Sequence, residues 1–350
     1  MGTSSRRSVA VILNRNAQRV SPDIIAGARG ILGPGAVFVT SSRAEAREAA
    51  REIAARRFEV ACTGGGDGTF IAAVNDLDAC CGEEMPMLMG LRLGSGNAIG
   101  EVCGASPPTR EGLAADIARA ASGEPPRPLS LLRVDGRLTH STGVGLDAKF
   151  NEDFRAIVKN WLGRGVLAPL IHGAPGLVLA AVMRSIPRLL REGPFNLRVI
   201  NRGAPASLLG GSGHGGGDAD RPAGAVLYNG QAVIACASTV ATYGRGLRLF
   251  PFADSLTDRF QLRVSSVGPL DVLPNLSRIF SGTYRNPRRL SDFAVTAVRL
   301  ELAAPAPWHV AGDLQGPTTE FDIELSPRKL QLLFDPRRFT SAACSRSPAS

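Results

Sequence analysis

Six consecutive residues, Gly64, Gly65, Gly66, Asp67, Gly68 and Thr69, follow an apolar run that reads as a strand (EVACT) and precede one that reads as a helix (FIAAVNDL). Glycines at such a turn let the backbone bend tightly and bring N–H groups close to a phosphate, while the following helix presents the positive end of its dipole. A carboxylate inside the loop would repel the anion unless a metal ion or a protonatable hydroxyl stood between them, so Asp67 points to Mg²⁺ or to proton-transfer work. A second loop, Leu93-Gly94-Ser95-Gly96-Asn97, again lies between an apolar run (MLMGLRL) and a helical one. Either loop alone is a turn with a helix cap, and Asn97 suits the N-cap position. Together, at the carboxyl ends of neighbouring parallel strands, they would face one crevice, where open α/β sheets bind ligands.

Strands to carry these loops are legible at Ser8 to Leu13, Ala36 to Thr40, Glu59 to Thr63 and Met87 to Leu93. Between the second and third lies RAEAREAAREIAARR, whose alanines and charges recur at helical spacing. Alternation of strand and helix predicts right-handed crossovers and an α/β domain with a mostly parallel sheet over residues 1–125. Gly123, Pro125 and Pro126 form a breaker cluster that reads as a linker. Beyond it, residues 126–335 read as a β-rich second domain of antiparallel strands. Asp135-Gly136 supplies a hairpin turn, and strand-like runs lie at 195–200, 225–228, 231–235, 260–264, 294–302 and 321–325. Residues 203–224, rich in Gly, Ala, Ser and Pro, read as a flexible insertion and 336–350 as a disordered tail. The apolar segment 165–183 is broken by Pro169, His172, Gly173 and Pro175, which predicts two short buried or interfacial helices instead of a membrane span.

Composition bounds the function. At 350 residues with 44% apolar and 20% charged side chains, the chain can bury two cores without disulfides or metals. Its six cysteines show no CxxC spacing, and the run after Arg6 and Arg7 is too short for an export signal, so a reducing cytoplasm is expected. Arg6 stands where a myristoylation pattern wants Ser or Thr. The net charge of +9 is spread over scattered arginines, with aromatics only 5% of residues, so no stacking platform for nucleic acid is expected. That charge serves either transient visits to an anionic membrane surface or plain solubility. The four histidines lie far apart without metal-ligand spacing, and GSGN lacks the G-x-S-x-G elbow that would make Ser95 a hydrolase nucleophile.

GGGDGTFIAAVNDL and LRLGSGNAIGEV resemble, in order and spacing, the GGDGT and GTGN signatures of the diacylglycerol kinase catalytic domain, shared by bacterial lipid kinases, sphingosine kinases and ceramide kinases. THSTGVGLDAKF resembles the segment that opens the family's second domain, and ATYGRGLRLFPFA a later one. NAD kinases share the GGDGT loop but not the GSGN-like partner, which favours the lipid kinases. The resemblance implies a fold of the NAD kinase and diacylglycerol kinase type and an ATP-dependent transfer to a lipid hydroxyl, by a cytoplasmic enzyme peripheral to the membrane. It implies that Asn14, Thr40, Gly65, Gly66, Gly68, Thr69 and Ser95 surround ATP, with Asn97 counted among them in the GSGN loop. Asp67 then lies near the phosphates and Mg²⁺. The oligomeric state stays open, a dimer included.

Two departures matter. Where the family carries Asp-Gly-Glu near its C-terminus, this chain reads His309-Val310-Ala311-Gly312-Asp313, leaving Asp313 as the candidate base and Asp67 as its rival. A base adds roughly 10²- to 10⁴-fold to a transfer that depends chiefly on positioning and charge, so a shifted base slows such an enzyme without abolishing it. The family's structural Mg²⁺ site matches Thr257, with Asp258 one residue late. These departures support an alternative from another class, a lipid- or nucleotide-binding protein of the same fold without turnover.

Overall fold

The computed structural model describes residues 6–146, 148, 183, 184, 186–210, 220–244 and 246–335. The apolar segment apart from Met183, residues 211–219 of the expected insertion and the tail 336–350 lie outside the described residues. The chain divides into two units, Met1–Leu129 with Lys329–Ser350, and Ser130–Arg328.

The first unit alternates β1 (Val9–Asn14), α1 (Pro22–Leu32), β2 (Val37–Thr40), α2 (Arg43–Ala55), β3 (Val60–Gly65), α3 (Asp67–Cys81) and β4 (Met87–Arg92), then continues through α4 (Ala98–Val102) and α5 (Arg110–Ala121). The strands are parallel in the order β2-β1-β3-β4. Val9 through Leu13 are all buried, as a strand covered on both faces requires. Ser21, Ser42 and Thr109 cap α1, α2 and α5 by accepting the N–H groups of Ile24, Glu45 and Gly112. In α2 Ala49, Ala50 and Ile53 face inward while the charges face water. Right-handed crossovers put α1 on one face of the sheet and α2 and α3 on the other. The chain leaves β1 toward β2 but leaves β3 toward β4, so the switch point lies between β1 and β3.

One boundary is corrected. The sequence placed everything from 126 to 335 in the second domain, but the chain from Lys329 onward belongs to the first unit. Leu332 lies parallel beside Leu88 of β4, and Leu330, Leu332 and Leu333 are buried there. An apolar run such as KLQLLF declares a strand without declaring its sheet.

The second unit is antiparallel. β5 (Arg127–Val134), whose first residues belong to the first unit, and β6 (Arg137–Thr139) form the expected hairpin, with Asp135 and Gly136 at φ of 49° and 73°. There follow β7 (Ser141–Gly145), a helix (Ile186–Glu192), β8 (Phe195–Asn201), β9 (Ser207–Leu209), β10 (Val226–Ala232), β11 (Ile234–Ser238), β12 (Phe260–Ser265), β13 (Leu290–Val295), β14 (Ala297–Val310) and β15 (Asp313–Leu332). The order β14-β7-β11-β12-β13-β9 makes the sheet, with β8 joining β14 to β10. The expected run 231–235 is shared between β10 and β11 and 294–302 between β13 and β14, while 321–325 is part of the far longer β15. Part of the expected insertion is ordered: β9 pairs with β13, and Ala206 and Arg221 exchange two backbone hydrogen bonds of 2.8 and 2.9 Å. Edge pairing there satisfies backbone groups without the apolar burial that composition measures.

Candidate active site

Three loops meet at the carboxyl ends of β1, β3 and β4. Asn14 ends β1, and its Nδ2 donates to Thr69 Oγ1 at 3.0 Å, joining the two strands on either side of the switch point. Its Oδ1 accepts the Asn16 N–H, and Asn16 in turn donates to the Ser41 carbonyl. Thr40, buried at the end of β2, lies in register with Asn14 and accepts the Arg15 N–H through its carbonyl. Ser95 Oγ reaches Gln18 Oε1 at 3.2 Å, so the first loop also meets the last. Gln18 belongs to neither glycine loop in the sequence; only the fold brings it to Ser95.

The two glycine loops touch through their backbones. A Cβ added at Gly94 would collide with the Gly66 backbone, and one at Gly65 would lie 2.5–2.7 Å from Thr69 side-chain atoms. The Asp67 N–H donates to the Gly96 carbonyl at 3.2 Å across the same contact. A side chain at Gly94 would hold the loops apart and one at Gly65 would displace Thr69, which is why glycine is needed at each. Gly68 lies half-buried in the first turn of α3.

Asp67 bridges the loops a second time. Its Oδ2 accepts the Ala98 N–H at 2.9 Å and its Oδ1 the Ile99 N–H at 3.0 Å, so it caps α4 from outside that loop. Negative charge at a helix N-terminus complements the dipole, and the unpaired first amides gain their acceptor. This corrects the role expected of Asn97. Asn97 does occupy the N-cap position, but its side chain makes no cap bond. It turns back onto Gly94 instead, accepting the N–H at 2.9 Å and donating to the carbonyl at 2.7 Å, which closes its own loop. With Asp67 already on the amides, the Asn97 side chain is released for this stapling.

The loops suit a polyphosphate: glycines present backbone at close range, and hydroxyls from Thr69 and Ser95 stand at the rim. For a divalent ion the two loops offer one carboxylate, Asp67, each of whose oxygens keeps a lone pair beyond its amide bond. Among the described residues no three His, Cys, Asp or Glu side chains gather as a metal site. A magnesium ion fits here in the way typical of nucleotide sites, held by phosphate oxygens and water with one protein carboxylate.

Asp313 and Asp258 belong to the second unit. Asp313 is exposed at the start of β15, directly after Ala311 and Gly312, whose φ values of 49° and 80° make a two-residue primed turn. The turn is anchored: the Ala311 N–H donates to the Ser141 carbonyl at 2.9 Å, and the Gly312 N–H to His309 Nδ1 at 3.0 Å. His309 is fully buried, with Tyr243 Oη 3.4 Å from its Nε2, so this histidine orients the turn. Asp258 is exposed at φ 57° in the turn before β12. With Thr257 beside it and no gathering of ligands among the described residues, that turn does not fit a structural metal.

Residues 8–124 match the diacylglycerol kinase catalytic domain family. No curated protein matches the sequence. Among solved structures, a putative diacylglycerol kinase from Bacillus anthracis str. Sterne superposes with a TM-score of 0.65 at 15% identity, covering 96% of this chain and 99% of that one. A diacylglycerol kinase from the same organism gives 0.58 at 14%, with the same coverage. An NAD kinase from Archaeoglobus fulgidus in complex with ATP gives 0.51 at 10%, covering 96% and 97%. At these identities the likeness is one of fold.

Proposed function

From the premise that residues 8–124 carry a diacylglycerol kinase catalytic domain, we propose that the chain is an ATP-dependent lipid kinase, moving the γ-phosphate of ATP to a lipid hydroxyl of the diacylglycerol or sphingoid-base type. The observation that carries the reading is the pair of glycine loops locked backbone to backbone beside the sheet's switch point, with Asp67 tying them together. In this reading Gly65, Gly66, Gly68 and Thr69 line the phosphates, Asn14 holds Thr69 in place, and Thr40, Ser95 and Asn97 complete the rim. Asp67 keeps the second loop seated and would offer its remaining lone pairs to the bound ion. Mg²⁺, when bound with ATP, supplies charge neutralisation at the phosphate oxygens. Asp313, exposed on its anchored turn, accepts the proton of the attacking hydroxyl, with Asp67 as the rival acceptor. No described helix is long and apolar enough to cross a membrane, and the lipid is reached by transient contact of the basic protein with an anionic surface. Burial of acyl chain against apolar segment 165–183 would add ~0.8 kcal/mol per methylene.

The test is incubation of the pure protein with Mg²⁺-ATP and a panel of diacylglycerol, monoacylglycerol and sphingoid bases. Labelled lipid product is expected from at least one acceptor and is to be lost in Asp67→Ala. Product formation undiminished in Asp67→Ala would overturn the site assignment. A second reading, ligand binding without turnover, is favoured by Ala311 standing where the resembled family has a carboxylate; ATP binding with no product from any acceptor would establish it.

A further inference from the structure

Two arginines stand at these loops without a role in the scheme above. Arg92 closes β4 in register with Gly65, so the two share a face of the sheet. That face meets α3 at Thr69 and α4 at Gly100: a Cβ on Gly65 would strike Thr69, and one on Gly100 would lie 3.0 Å from Arg92 Cγ. Arg19 approaches from the first loop, its N–H donating to the Leu93 carbonyl at 3.2 Å. The two arginines therefore bracket the start of the second glycine loop.

Several arginines of the unit are held by acids. Arg43 donates to Asp76 at 3.0 Å, Arg56 to Glu52 at 3.1 Å, and Arg119 lies 2.8 Å from Asp116 and 3.5 Å from Asp335. Among the described residues no ion pair joins Arg19 or Arg92 to a carboxylate. Burial lowers the pKa of Arg19 and the nearby charge of Arg92 lowers it further. Arg92 Nε is buried with no hydrogen-bond partner among the described residues. Two like charges held together beside an unmet buried donor are unfavourable unless an anion joins them. A guanidinium pair is matched by neighbouring phosphate oxygens, which accept its planar forks and cancel both charges.

We infer that Arg19 and Arg92 form a seat for the terminal phosphates of the nucleotide, supplementing the backbone of the glycine loops. The inference rests on the ATP reading and adds a selectivity to it: triphosphate is preferred to monophosphate because the seat takes the end of the chain.

Calorimetry with ATP, AMP and sodium tripolyphosphate tests it on the wild type, Arg19→Gln, Arg92→Gln and the double variant. ATP and tripolyphosphate affinities fall roughly 10- to 100-fold in each single variant, the range expected for a charged hydrogen bond. AMP affinity changes less than about twofold. Without ligand, the urea midpoints of the variants stay level or rise, because the like-charge contact is relieved, whereas an arginine with a purely structural role would lower them. Equal losses for ATP and AMP, or unchanged ATP affinity in both single variants, would overturn the seat while leaving ATP binding intact. Tripolyphosphate bound by the wild type and lost in the variants, with no ATP binding, would keep the seat and sink the nucleotide reading. A wild type that binds neither sinks both.

Discussion

Replacing Asp67 by alanine removes, in one step, both acceptors that seat α4. Ala98 and Ile99 receive them at 2.9 and 3.0 Å, and both residues are 1% exposed, so water reaches their N–H groups only if the loop opens. A hydrogen bond to a charged group contributes roughly 1.5–3 kcal/mol, and a lost helix cap alone costs about 1. Two such bonds from one side chain set the expected loss at about 2–4 kcal/mol. Asp67→Asn keeps one carbonyl acceptor and turns an amide donor toward the other N–H, so it loses at least half of that. Urea unfolding without nucleotide, followed by alkylation of the buried Cys62, reports the first unit directly. With a slope of about 2–3 kcal/mol per M, the alanine variant should unfold roughly 1 M earlier, with the slope unchanged. A midpoint equal to that of the wild type would show that the carboxylate does not hold these amides in solution, and the account of how the loops are joined would fail with it.

Ala311 sits at φ 49° in a turn pinned by two hydrogen bonds, and most residues with a Cβ lose roughly 1 kcal/mol there, whereas Asn offsets this through its short polar side chain. Ala311→Asn should therefore raise the thermal midpoint by about 2–4 °C and Ala311→Val lower it, by circular dichroism; the reverse order would contradict the assigned turn. Arg299 holds Asp322 below the usual carboxylate range through bonds of 2.9 and 2.7 Å. The pair's contribution is therefore full above about pH 4 and is lost as pH falls through the lowered value. Both side chains are substantially exposed and screened by water, so Asp322→Asn should differ slightly from the wild type at pH 7 and converge with it in strong acid. Burial raises the Cys62 thiol and pushes Cys103 up to about 12, while Cys80 is exposed. Iodoacetamide followed by peptide mass spectrometry should mark Cys80 in the native protein, and Cys62 and Cys103 only after denaturation; early labelling of Cys103 would contradict its place in the core.

Much of the site was legible because its chemistry is local. Glycine between a buried strand and a helix means close backbone wherever it occurs, so Gly64 through Thr69 and Leu93 through Asn97 identified themselves, as did Asp135-Gly136 at its hairpin. The apolar runs of β1, β3 and β4 likewise declared a sheet buried on both faces. Tertiary structure alone decided which acceptor meets which amide. Asn97 has the chemistry of an N-cap, yet Asp67 arrives from another loop, takes the α4 amides and leaves Asn97 to staple Gly94. Nor could residue types show that Leu332 returns to β4, that Gln18 meets Ser95, or that the Arg19 backbone reaches Leu93 beside Arg92. Turn and helix preferences act within a few residues of chain, whereas pairing of charges and amides depends on distances that exist only once the strands have assembled.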